Sequence, residues 1–84
     1  MKNIGPVSQR WLAEIEIFTP KDLDTVGVVP AWIQLKARYP QKVTKNLLWA
    51  LLGAQLDRDW RELPEAVKQA ALDKVENYAP DHPL

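Results

Sequence analysis

The chain has 84 residues, of which 46% are hydrophobic and 26% charged, and its 11 basic and 11 acidic residues leave no net charge. Such a length and balance specify one globular domain with a modest hydrophobic core, and a neutral chain argues against strong non-specific binding of nucleic acid. The lack of any cysteine excludes disulfides, thiolate catalysis and cysteine-ligated metal centres.

Read in order, Asn3-Ile4-Gly5-Pro6 forms a glycine-bearing turn into a first helix over about residues 6–15. Pro6 suits the first helical turn, and Val7, Trp11, Leu12 and Ile15 recur at helical spacing. Thr19 is a good N-cap. Pro20 fits the first helical position, and Asp22 sits near the positive end of the helix dipole. This second helix covers about 20–26 and is stopped by Gly27. A third helix starts near Val29 or Pro30 and runs to Tyr39-Pro40. Thr44 caps a fourth over about 45–56, whose apolar interior Leu47-Leu48-Trp49-Ala50-Leu51-Leu52 belongs at the centre of the fold. That run also suits a buried strand, but Leu and Ala outnumber β-branched residues and favour a helix. Residues 57–62 read as a polar connector, residues 64–77 as a last helix, and the tail 79–84 should fray. The near-continuous apolar run from Leu47 to Ala54 is far too short to span a membrane, which takes about 18 residues. Met1-Lys2-Asn3 leads into a turn rather than an apolar leader, so a cytoplasmic location is expected.

Catalytic chemistry finds little footing. His82 is the one histidine and lies between prolines in the tail, with no partner to orient it. Asp57, Asp59 and Glu62 alternate with Arg58 and Arg61, which reads as a salt-bridged turn rather than a cation loop. No cofactor or metal is expected, and the chain reads as non-enzymatic. Trp11, Trp32 and Trp49 fall on apolar helical positions and read first as core. Trp60 lies in the polar connector, and Trp32 and Trp60 are the candidates for an exposed partner surface. The opening turn is the remaining candidate site. Gly5 opens backbone conformations closed to other residues, and N–H groups at a helix start attract anions. A nucleic-acid backbone would then meet Lys2, Gly5, Val7, Ser8 and Arg10, with Lys42 or Lys45 as a further cation. Residues 1–45 hold seven basic and four acidic residues, and residues 46–84 the reverse.

Asn3-Ile4-Gly5-Pro6-x-Ser8, Trp11-Leu12, Ile17-x-Thr19-x-x-Asp22-Leu23 and Gly27 resemble the C-terminal domain of TfoX/Sxy proteins. Asn46-Leu47-Leu48-Trp49-Ala50-Leu51, Gly53-Ala54 and Trp60-Arg61-Glu62-Leu63-Pro64 follow in the same order, so the resemblance covers about residues 3–70. It implies an all-α fold of five helices with a helix-hairpin-helix-like (SAM-like) element at the N-terminus, forming a single domain over 1–84. It also implies a bacterial regulator of natural competence, without catalytic residues. Full-length members usually carry an N-terminal α/β domain that this chain lacks, so a stand-alone version or a fragment is expected. Two residues depart from the pattern. Val7 stands where a lysine is frequent, and Glu16 where a glycine is frequent.

Two functions follow. One is a regulatory module with weak, sequence-independent binding to the DNA backbone. The other is a protein-interaction module, monomeric or homodimeric, that has lost nucleic-acid binding and meets another regulatory protein.

Overall fold

Local capping chemistry sets most of the element boundaries. The computed structural model describes residues 3–78, which form α1 (Pro6–Glu14), α2 (Pro20–Val26), α3 (Val28–Arg38), α4 (Lys45–Leu56) and α5 (Glu65–Tyr78), with a 3-10 turn at Trp60–Glu62. The fold is all-α, as the sequence implies, and no strand occurs among the described residues. Helices α2 and α4 have the expected limits, α3 begins a residue or two early, and α1 and α5 differ by one residue at their ends. The tail, His82 and Lys2 lie outside the described residues.

Helix α1 ends in a Schellman turn. The Ile17 N–H donates to Leu12 O (2.9 Å) and the Glu16 N–H to Ala13 O (3.0 Å), and both Leu12 and Ile17 are buried, which is the hydrophobic contact that accompanies this turn. Glu16 occupies its left-handed position, with φ +64°. Helix α2 starts with a complete capping box. The Asp22 N–H donates to Thr19 Oγ1 (3.1 Å), while Asp22 Oδ2 accepts from the N–H groups of Thr19 (3.2 Å) and Phe18 (3.0 Å). Gly27, with φ +97°, ends α2 and opens α3, a backbone angle that favours glycine.

Helix α4 is the centre of the core. It buries Leu47, Leu48, Leu51, Leu52, Gly53 and Ala54 against Val28, Val29, Ala31, Trp32, Ile33 and Leu35 of α3. Leu12, Ile17, Leu23, Val43, Leu63 and Ala71 complete the core from the other elements. The turn between α3 and α4 is tied from beneath. The Trp32 indole N–H donates to Thr44 O (3.0 Å), and the Lys36 ammonium donates to Pro40 O (2.7 Å) and Val43 O (2.9 Å). Thr44 occupies the expected N-cap position, but its side chain makes no capping bond. Its carbonyl serves instead, as the partner that a buried tryptophan requires.

Candidate nucleic-acid interface

The opening motif is built differently from its sequence expectation. Gly5 is extended, with φ −81° and ψ 177°, a conformation open to any residue, and a Cβ there would meet nothing. Its expected turn-forming role falls to Asn3, which is left-handed at φ +69°. Asparagine tolerates that region better than most side chains. The Asn3 side chain then reaches across the molecule. Its Nδ2 donates to Arg58 O (2.7 Å), and its Oδ1 accepts the Trp60 N–H (3.5 Å). Ile4 beside it packs on the core.

The far side of this bridge is the end of α4. Asp57 is left-handed (φ +54°), the Arg58 N–H donates to Gly53 O (2.8 Å) and the Asp57 N–H to Ala54 O (3.4 Å), a second Schellman turn. Gly53 lies directly under the bridge. A Cβ on it would come within 2.7 Å of Arg58 O, 3.2 Å of Trp60 N, and still closer to Asn3 Nδ2. Two motifs separated by most of the chain, Asn3-Ile4 and Gly53 with the connector to Trp60, are therefore one structural unit. The connector carries the expected salt bridge between Arg61 and Asp59 (2.9 Å), and Asp59 caps the 3-10 turn through the Arg61 N–H (2.9 Å). Among the described residues no group of three or more acidic or histidine side chains could hold a metal ion. Among the described residues no helix is long and apolar enough to cross a membrane.

The expected phosphate contacts do not assemble into a basic surface. Val7 is 60% exposed and apolar, Ser8 is partly buried, and Arg10 is the one cation among the described residues of the opening motif and α1. Farther along α1, Trp11 stacks on Tyr39 with ring centroids 5.0 Å apart. Glu14 accepts from the Tyr39 hydroxyl (2.8 and 2.7 Å) and pairs with Arg38 (3.2 Å). That carboxylate, hydrogen-bonded to the phenol, raises the Tyr39 pKa above its ordinary 10.0. The tryptophans also sort differently. Trp32 is 9% exposed and its N–H is spent on Thr44, so it is core, as its apolar helical position implied, and not the exposed partner surface that was its alternative reading. Trp60 is half-buried and packs on the core.

A run of cations falls instead at the corner between α3 and α4. No Asp or Glu occurs from Thr25 through Leu56, while Lys36, Arg38, Lys42 and Lys45 fall within it. Lys36 and Arg38 are engaged as described above. Lys42 and Lys45 are exposed, and among the described residues no ion pair involves them. They flank the start of α4, whose first turn holds no acidic residue and whose dipole adds positive potential. One turn along, Trp49 is partly buried, and the Lys68 ammonium of α5 lies 5.7 Å from its ring centroid. The signal for this corner in the sequence is its acid-free run from Thr25 through Leu56.

A family model described as the TfoX C-terminal domain matches residues 1–75. The chain belongs to that family. A crystal structure of an uncharacterized protein from Listeria monocytogenes superposes on this TfoX C-terminal domain with a TM-score of 0.81 at 28% identity, covering 100% of this chain and 94% of that one. No match is found among the curated proteins. Within this TfoX C-terminal domain, the departure at Glu16 has a plain structural meaning. A glycine there would relieve a left-handed backbone. The domain also has an apolar groove of about 350 Å³ where α3, α4 and α5 meet, lined by Val28, Val29, Leu52, Val67 and Ala71 with Lys74 at its edge.

Proposed function

We propose that this TfoX C-terminal domain is a non-enzymatic regulatory module that works by binding, and that its ligand is a nucleic-acid backbone held at the α3–α4 corner. The observation carrying this reading is the pair of exposed lysines, Lys42 and Lys45, at the start of α4 on a stretch without a carboxylate. Phosphate oxygens suit ammonium groups and a helix N-terminus together, and such contacts position a ligand without reading its sequence. The family's tie to competence regulation supports a regulatory role over a catalytic one. Zero net charge keeps the affinity low.

Fluorescence anisotropy of a labelled oligonucleotide at low salt tests this. Two or three neutralised phosphates give a logarithmic salt slope of about −2 to −3. Binding at tens of micromolar protein is expected, lost in Lys42→Glu/Lys45→Glu and unchanged in Arg10→Glu. No binding by the unaltered chain at those concentrations overturns the proposal. A second reading, docking of a partner protein, draws on the apolar groove. Among the described residues Lys74 is the one charged side chain lining it, which suits an apolar segment bearing a carboxylate. Sedimentation across a concentration series tests whether that partner is a second copy, and a constant monomer mass removes that form.

A further inference from the structure

We infer that the corner takes single-stranded nucleic acid in preference to duplex, with Trp49 as the surface on which a base stacks. The inference rests on the phosphate reading above and goes one step further. Trp49 follows Lys45 by four residues on α4, so the two side chains share one face of the helix. Lys68 comes from α5 to the same place, its ammonium 5.7 Å from the ring centroid. A partly buried tryptophan is thus anchored in the core on one side and framed by the cations Lys45 and Lys68 on the other.

That arrangement is what a single strand needs. Its phosphates track along ammonium groups while an unpaired base lies on an aromatic ring, and the ring accepts any base because every base has a π-face. The contact between Lys68 and Trp49 is not an obstacle. At 5.7 Å the ammonium lies near the outer limit of a cation–π contact, base stacking is stronger, and the displaced ammonium finds a phosphate. A duplex keeps its bases stacked on one another and has none to offer.

Charge alone favours the opposite outcome. Duplex DNA has the higher charge density and releases more counterions per contact than a single strand. A site made only of lysines therefore binds duplex at least as well, and a preference for single strands is a signature of stacking.

The test compares a labelled oligothymidylate of about 12 nucleotides with a duplex of equal length in anisotropy titrations at low salt. The expected result is single-strand binding about fivefold tighter or more, with Trp49→Leu erasing that preference and leaving duplex binding within about twofold. Trp49→Phe keeps an aromatic face and should retain most of the preference, which separates stacking from a folding defect. Equal or weaker binding of the single strand by the unaltered chain overturns the stacking inference and leaves the phosphate reading standing. Binding of neither oligonucleotide overturns both.

Discussion

At Glu16 the backbone is left-handed at the position of a Schellman turn that glycine fills most readily. A side chain there costs about 1–2 kcal/mol of strain, partly offset by the greater unfolded-state freedom that glycine would bring. Glu16→Gly should therefore raise stability by about 0.5–1 kcal/mol in chemical denaturation. A loss would show that the Glu16 side chain has a stabilising contact. At Asp22 the effect is one of protonation. Hydrogen bonds from the Phe18 N–H foremost, and then from Thr19, hold its pKa below the ordinary 3.8. A carboxylate depressed on folding stabilises the native state fully above its unfolded value, and that contribution fades as pH falls through the lower folded value. The cap of α2 should thus be intact at neutral pH and loosen below pH 3.8. An NMR titration should place the Asp22 midpoint below 3.8, with the Phe18 and Thr19 amides shifting in step. A midpoint at or above 3.8 would remove the capping box from the account.

The element that organises the fold is the bridge from the chain start to the end of α4. Gly53→Ala drives a methyl group into Asn3 and the Arg58 carbonyl, and overpacking of this kind costs about 1–3 kcal/mol. For a domain this small that lowers Tm by about 5–20 °C. Asn3→Ala removes two partly exposed hydrogen bonds and should cost about 1 kcal/mol. Because the two residues touch, the double variant should fall short of additivity. Part of the Gly53→Ala cost should persist even so, since the Arg58 carbonyl remains in place. Additive effects measured by thermal unfolding would break the link between the two motifs. The capping box of α2 was legible in sequence because Thr19, Pro20 and Asp22 act over one turn. The limits of α4 were legible because Thr44 and the apolar run agree. The bridge was not, since Asn3 finds its partners at 58 and 60, and nothing local marks such a pairing. Nor was the turn at Glu16 evident, because its usual marker, glycine, is absent from that position. Lys42 and Lys45 are legible as cations in the sequence, but the position of Lys68 over Trp49 depends on how α5 packs on α4.

Across the whole molecule, the neutral net charge conceals an uneven distribution. The segment from Thr25 through Leu56 holds four cations and no carboxylate, so the rest of the chain carries the balancing negative charge. Membership of the TfoX C-terminal domain family and the nearly coextensive Listeria monocytogenes structure set the architecture. Within it the opening motif serves as scaffold and the α3–α4 corner as the proposed binding surface. Titration of the isotope-labelled protein with a short single-stranded oligonucleotide, followed by amide NMR shifts, tests both assignments at once. Shifts should be confined to the amides of residues 41–49, the Trp49 indole and the neighbourhood of Lys68, with residues 5–10 unmoved. Shifts centred on Gly5, Val7, Ser8 and Arg10, with the corner silent, would contradict it.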